Sequence, residues 1–128
     1  MTKFNLKEKP LIIIPVEIEG PLGTSVVNLA IDTGATHLAI YPAYLIYAGY
    51  VPESGTKQTV HTANGRITAT LLEVSKISLL GHTTTRFKVL AQPFDPRLGI
   101  DGLIGLSFFK RLRKQLLIDF ATNEVGLV

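Results

Sequence analysis

One aspartate in this chain stands where a carboxylate could take part in catalysis. Asp32 opens the triplet Asp32-Thr33-Gly34 and follows the apolar residues 26–31, which have the pattern of a buried strand. An ionisable side chain at the end of such a strand is unfavourable unless it has a partner or a chemical role. The pattern therefore indicates a carboxylate displayed for acid-base chemistry. The structural alternative is an aspartate that caps a helix or stabilises a turn.

The triplet occurs only once in the chain. Catalysis by two facing carboxylates needs two aspartates, because one acts as the base while the other acts as the acid. Asp95, Asp101 and Asp119 lie at predicted turns or strand ends, and none is followed by Thr-Gly. The second carboxylate is therefore expected from another copy of the chain.

Short strands separated by turns are predicted on both sides of Asp32. Runs rich in Ile, Val, Leu and Thr, bounded by Gly, Pro and Asn, predict strands at residues 11–19, 25–31, 37–41, 56–70 (a hairpin), 71–80, 83–91, 102–106, 116–120 and 125–128. Asn64-Gly65 predicts the turn of the hairpin. Pro15, inside the first strand, predicts a sheet edge or a bulge.

Two short helices complete the predicted elements. Pro42 favours the first turn of a helix that continues to about Tyr50. Ser107 is predicted to cap a second helix that ends near Arg113. Many short strands with two short helices predict a mainly-β barrel or sandwich, and the length predicts one domain over residues 1–128.

The composition is that of a folded globule. Hydrophobic residues make up 46% and charged residues 18% of the chain, which separates it from disordered segments. The chain has no cysteine, so disulfides, thiolate metal sites and cysteine nucleophiles are excluded.

Charge and hydropathy bear on the partners. The net charge is +3, and basic residues concentrate at residues 110–114. This run suits either a nucleic-acid contact or the solvated last turn of a helix, and the lack of interleaved aromatic residues favours the helix. Residues 1–9 are polar and predicted to be flexible, and the apolar stretch 11–16 is too short to cross a bilayer. We expect no nucleic-acid or membrane partner, and a cytoplasmic location is favoured.

Three segments, in this order, resemble parts of the retropepsin-like aspartic proteases, the single-domain relatives of pepsin. Residues 29–36, which contain Asp32, resemble the catalytic loop of that family. Residues 59–66 form a hairpin where the family has its flap. Residues 102–106, Gly-Leu-Ile-Gly-Leu, resemble the hydrophobic-hydrophobic-glycine element that passes beside the catalytic loop. The triplet alone is a weak signal, but three segments in order over almost the whole chain are specific.

The resemblance implies an aspartic endopeptidase with a retropepsin-like barrel and a flap hairpin. Such an enzyme is a homodimer in which two Asp32 carboxylates activate the water that cleaves a peptide or protein substrate. In this family the threonine that corresponds to Thr33 forms a hydrogen bond across the dimer axis. The alternative is that Thr33 is an ordinary turn residue. Gly34 allows backbone to approach the carboxylate and substrate without an intervening side chain. No cofactor is implied.

The resemblance also implies residues that contact the substrate. Thr62, Ala63 and Gly65 lie in the flap segment, and Leu103 and Ile104 line specificity pockets if they are not simply core residues. The hairpin departs from the family pattern, because it has one glycine at its tip and no tyrosine.

The three histidines suggest a metal site only weakly. His37, His61 and His82 are far apart in the sequence and lack the spacing of known zinc sites. No metal is predicted.

Two classes of function remain open from the sequence. The first is the homodimeric aspartic endopeptidase. The second is a catalytically weak or inactive module of the same fold that binds peptides or mediates dimerisation, since a fold does not guarantee activity.

Overall fold

The computed structural model describes all 128 residues, and ten strands account for most of its regular structure. The strands are β1 (Thr2–Lys3), β2 (Ile13–Gly20), β3 (Gly23–Ile31), β4 (Ala39–Ile40), β5 (Thr56–Thr62), β6 (Gly65–Leu79), β7 (His82–Ala91), β8 (Gly102–Ile104), β9 (Leu116–Asp119) and β10 (Glu124–Leu127). The helices are α1 (Pro42–Tyr47) and α2 (Leu106–Leu112), with short 3-10 turns at Pro52–Ser54 and Pro96–Leu98.

Six strands close into a barrel in the order β2-β3-β8-β4-β7-β6, because β6 also pairs with β2. The β5 strand pairs only with β6, so this hairpin extends from the barrel. A separate small sheet has the order β1-β10-β9. The predicted mainly-β fold with two short helices is confirmed.

The alternating pattern of β2 shows how the sequence builds this barrel. Ile14, Val16 and Ile18 are fully buried, whereas the residues between them face solvent. Successive side chains of a strand point to opposite faces, so this spacing places three branched side chains in the core. At Pro15 the strand is paired on one side only, since pairing with β6 begins at Val16. This local edge accommodates a residue that has no backbone N–H.

Both helices bury one face against the barrel. In α1, Pro42 occupies the first turn, Leu45 is buried, and Gly49 follows the helix with φ of 101°. Glycine adopts this left-handed conformation without steric cost, which explains why the helix ends before the predicted Tyr50. In α2, Phe108 is fully buried and packs edge-to-face against Phe87 at a centroid distance of 5.5 Å.

Several predicted boundaries differ from the structure. The segments predicted as two strands before and after residue 70 form one continuous 15-residue strand, β6. The predicted flexible segment 1–9 contains β1, which pairs with β10, and the core residue Phe4. Ser107 does not cap α2, because Gly105 is the N-cap residue.

Asp101 joins three elements near the start of β8. Its carboxylate accepts the backbone N–H of Asn28 at 2.7 Å, and its carbonyl accepts the N–H of Tyr41 at 2.8 Å. Hydrogen bonding to Asp101, with smaller contributions from burial and the negative charges nearby, raises the pKa of Tyr44. Asp101 therefore links β3 and the start of α1 to the segment just before β8.

Substitutions at Asp101 should separate its two contributions. We expect Asp101→Ala to lower the free energy of unfolding by about 1–2 kcal/mol, because the Asn28 N–H loses its acceptor. Asp101→Asn keeps an acceptor oxygen but removes the charge, so the pKa of Tyr44 should fall toward its ordinary value of about 10. Because the pKa of Tyr44 is higher in the folded chain than in the unfolded chain, protonated Tyr44 adds stability at any pH below its unfolded pKa. This added stability is lost as the pH rises through the folded pKa. Urea unfolding and alkaline absorbance titration, with Tyr44→Phe to assign the signal, measure both effects. An unchanged titration curve in Asp101→Asn would contradict the assignment.

Candidate active site

Asp32 follows directly after the last residue of β3, and its backbone is fixed by a neighbouring strand. The end of β3 pairs in parallel with β8, with Ile31 opposite Ile104. The Asp32 N–H then donates to the Ile104 carbonyl at 3.0 Å. The side chain of Asp32 is half-buried. The sheet therefore sets where the carboxylate lies.

A tight turn organises the carboxylate itself. The Gly34 N–H donates to Asp32 Oδ1 at 3.0 Å, and the Ala35 N–H donates to the Asp32 carbonyl at 3.1 Å. A Cβ atom at residue 34 would lie 3.2 Å from Oδ1, so a side chain there would crowd the carboxylate. Oδ2 has no hydrogen-bond partner within the chain and is free to bind water or substrate. Asp32 thus makes the local bond of a turn aspartate and still presents a free oxygen.

The second half of the loop that contains Asp32 is held by the start of α2. We call residues 32–37 the Asp32 loop. The N–H of Leu106 donates to the Ala35 carbonyl and that of Ser107 to the Thr36 carbonyl, both at 2.9 Å. Gly105 passes so close to the loop that a Cβ there would lie 2.7 Å from the Ala35 carbonyl oxygen and would clash with that of His37. The second glycine of the segment Gly-Leu-Ile-Gly-Leu is required by this close approach.

Thr33 and Gly34 are exposed at the tip of the Asp32 loop. The one side-chain hydrogen bond that either residue makes within the chain is the bond from the Gly34 N–H to the Asp32 carboxylate. The half-buried carboxylate therefore lies beside an exposed loop tip.

The β5–β6 hairpin presents the predicted contact residues at its tip. Its two-residue turn is Ala63–Asn64, one position earlier than the predicted Asn64-Gly65, because Thr62 pairs with Gly65. The Thr62 hydroxyl donates to the Gly65 carbonyl at 2.9 Å and accepts the N–H of Asn64 at 3.3 Å. Gly65 has φ of 117°, which disfavours any other residue. Thr62, Ala63 and Gly65 are all exposed.

The two faces of this hairpin differ in chemistry. On one face Val60 lies opposite Ile67, and both are half-buried. Val60 also packs against the small buried cluster of Ala39, Ala69 and Leu90. The other face carries exposed basic side chains, which are Lys57, His61 and Arg66. The apolar face continues toward β4, the strand that follows the Asp32 loop.

The structure separates the two predicted pocket residues. Ile104 is fully buried and belongs to the main core, which was the alternative for this residue. Leu103 is half-buried and remains the candidate of the pair for substrate contact. Its neighbours in the sheet are Ala30 on β3 and Ala39 on β4, which leave space beside it.

The three histidines do not form a metal site. His61 is on the exposed hairpin, whereas the His82 ring lies 3.0 Å from the Leu80 carbonyl at another turn. No group of three or more His, Asp or Glu side chains is close enough to hold a metal ion. No helix is long and apolar enough to cross a membrane.

The sequence did not predict that Ser107 contacts the segment next to the Asp32 loop. The Leu38 N–H, just after the Asp32 loop, donates to Ser107 Oγ at 3.2 Å. Ser107 was interpreted only as a helix cap, and nothing in the local pattern pairs it with a residue 69 positions earlier.

A six-stranded barrel with an Asp-Thr-Gly turn at a strand end, supported by a glycine element and carrying a hairpin, defines an acid-protease fold. The model of the aspartyl protease family matches residues 14–108, and the chain belongs to that family. The fold is similar to the crystal structure of a retropepsin-like aspartic protease from Rickettsia conorii, with a TM-score of 0.68 and 20% identity. That alignment covers 99% of this chain and 91% of the Rickettsia chain. No curated protein matches the sequence.

Proposed function

We propose that this protein is an aspartic endopeptidase whose single active site forms between two copies of the chain. Each copy would contribute one Asp32. The observation that supports this best is the free Oδ2 of Asp32 on an exposed turn, in a chain with one Asp-Thr-Gly triplet. Membership of the aspartyl protease family supports the same chemistry.

The proposed reaction uses two carboxylates that share one proton, because two neighbouring negative charges are unfavourable. The ionised carboxylate takes a proton from a water molecule, and the water oxygen attacks the peptide carbonyl carbon. The protonated carboxyl donates its proton to the carbonyl oxygen. Collapse of the tetrahedral intermediate breaks the C–N bond, and a proton passes to the leaving amine. No cofactor takes part in these steps.

The other predicted residues have supporting roles in this proposal. Gly34 keeps the turn open beside the carboxylate, and Thr33 bonds across the two-fold axis to the partner loop. The β5–β6 hairpin acts as the flap, in which Thr62, Ala63 and Gly65 contact the substrate backbone. The exposed position of these residues leaves them available for such contacts.

Cleavage of an unfolded protein such as casein, across acidic to neutral pH, tests the proposed activity. We expect cleavage that a statine inhibitor suppresses, because statines mimic the tetrahedral intermediate of aspartic proteases. Binding of the inhibitor without any cleavage would favour the alternative, a peptide-binding module of the same fold. Cleavage that the inhibitor does not affect would contradict the aspartic mechanism.

Cleavage sites should have large apolar residues on both sides of the cut bond. The half-buried residues Val60, Ile67 and Leu103 offer apolar surface, and residues 56–72 contain no acidic side chain that could bind Lys or Arg. Burial of one large apolar side chain contributes about 1.5–3 kcal/mol, enough to select the residue type. Mass-spectrometric mapping of the products measures this, with the Asp32→Asn chain as the control for contaminating proteases. A strict requirement for Lys or Arg at the cut bond would contradict the apolar-pocket assignment.

A further inference from the structure

Ser107 binds the end of the Asp32 loop through two hydrogen bonds that leave its own helix. Its N–H donates to the Thr36 carbonyl at 2.9 Å, and its Oγ accepts the Leu38 N–H at 3.2 Å. Ser107 is the second residue of α2, where backbone N–H groups have no partner within the helix. Its N–H is therefore available to the loop.

The two bonds attach to Thr36 and Leu38, the residues on either side of His37. A residue in a parallel sheet donates its N–H to one residue of the neighbouring strand and accepts, at its carbonyl, the N–H two positions further on. Ser107 has this relation to Thr36 and Leu38, with Oγ in place of the carbonyl. The serine side chain thus extends sheet-like pairing across a point where the backbone has already turned into a helix.

The remaining bonds that hold the loop to β8 and α2 are between backbone atoms. They are Asp32 N–H to the Ile104 carbonyl and Leu106 N–H to the Ala35 carbonyl. Ser107 Oγ supplies the side-chain hydrogen bond between α2 and this part of the chain. The bond holds Leu38, which lies between the Asp32 loop and β4. A single substitution can remove it without altering the backbone.

We propose that Ser107 is a positioning residue for Asp32. The inference rests on the proposed function, in which two Asp32 loops must hold their carboxylates in one fixed arrangement. Without Oγ the partly buried Leu38 N–H has no acceptor. The exit of the loop is then held by backbone bonds alone, Ser107 N–H to the Thr36 carbonyl and Leu90 N–H to the Leu38 carbonyl, both at 2.9 Å, and a small shift of the loop becomes less costly. A shift of this kind changes the separation of the two carboxylates, on which sharing of one proton depends.

Ser107→Ala should lower kcat about 10- to 100-fold with a smaller change in KM, as expected when reacting groups are misplaced by an ångström or less. The two limbs of the pH–rate profile should move toward each other, because coupling between the carboxylates weakens. Ser107→Thr retains a hydroxyl oxygen and should restore both kcat and the width of the profile.

Ser75→Ala is a matched control for loss of a hydroxyl. Ser75 Oγ donates to the Glu19 carbonyl at 2.8 Å, in a part of the barrel that does not contact the Asp32 loop. Urea unfolding of each variant shows that equally folded proteins are compared. Ser75→Ala should keep the wild-type kcat and pH profile. Equal losses in Ser75→Ala and Ser107→Ala would overturn the positioning role, because general destabilisation would explain both.

An NMR titration tests the inference without relying on activity. The Gly34 N–H donates to Asp32 Oδ1, so the shift of its amide proton follows the protonation of that carboxylate. We expect Ser107→Ala to alter the Gly34 titration curve, and Ser107→Thr and Ser75→Ala to leave it unchanged. An unchanged curve in folded Ser107→Ala would overturn the proposal. An inactive wild-type protein would contradict the proposed function, while the Gly34 curve would still decide whether Ser107 positions Asp32.

Discussion

Asp32→Asn is expected to abolish proteolysis while leaving the protein folded. Asparagine is nearly the same size, and its Oδ1 can still accept the Gly34 N–H that organises the turn. It cannot act as the base or hold the shared proton, and both halves of the site change together in a homodimer. Loss of general acid-base catalysis alone predicts a fall of at least roughly 10²–10⁴-fold in rate. The rate of casein cleavage by purified protein measures this effect.

Asp119→Asn provides a matched control for this substitution. Asp119 Oδ1 accepts the N–H of Ala121 at 2.9 Å and that of Thr122 at 3.2 Å, so it is also a turn aspartate at a strand end. It lies on β9, in the small sheet rather than the barrel. Asp119→Asn should retain wild-type turnover. Near-wild-type turnover by folded Asp32→Asn would exclude Asp32 from the mechanism.

The sequence predicted the fold class and most elements because local patterns determine them. The two-residue period of Ile14, Val16 and Ile18 identifies β2, and Pro42 marks the start of α1. The residues that precede and follow Asp32 also predicted that it lies at the end of a strand, and in the structure it directly follows β3. These features depend on neighbours within a few positions and do not require knowledge of the tertiary fold.

Features that depend on distant residues were predicted poorly. Ser107 satisfies the general preference for a helix cap, but Gly105 has that position, because the backbone must pass against Ala35 and His37. Ile104 was an open choice between pocket and core, and only closure of the barrel buries it. The two residues of β1 have no strand pattern of their own, since they pair with β10 at the opposite end of the chain. Each of these outcomes is decided by contacts between segments far apart in sequence.

Activity is expected to depend on dimerisation. One chain supplies one carboxylate, which has no partner with which to divide the roles of acid and base. Thr33 and Gly34 are exposed beside it, so the same surface of a second copy can meet them. Such an interface would be isologous, with each Asp32 loop against its copy across a two-fold axis. The C-terminal strand β10, at the predicted strand 125–128, is paired on both sides within the small sheet, so its neighbour β1, at the edge of that sheet, offers the further surface for pairing.

Dilution through the dimer dissociation constant measures this dependence. Well below that constant the dimer concentration varies with the square of total protein, so the rate should rise nearly as the square of concentration. Casein cleavage at a series of protein concentrations gives the exponent directly. Analytical ultracentrifugation over the same series gives the concentration of dimer, to which the rate should be proportional.

A mixing experiment then tests whether the two chains share one active site. Wild-type chain equilibrated with a ninefold excess of Asp32→Asn chain should retain roughly one tenth of its activity, because random pairing puts most wild-type chains in mixed dimers. Asp119→Asn chain in the same excess should cause no such inhibition, since its dimers with wild type hold two intact Asp32 residues. This result would show that each site needs a carboxylate from both copies. Undiminished activity in the presence of Asp32→Asn, with mixed dimers demonstrated, would contradict the shared site. So would a rate strictly proportional to concentration from a species shown to be monomeric, because a second acid within one chain would then have to be found.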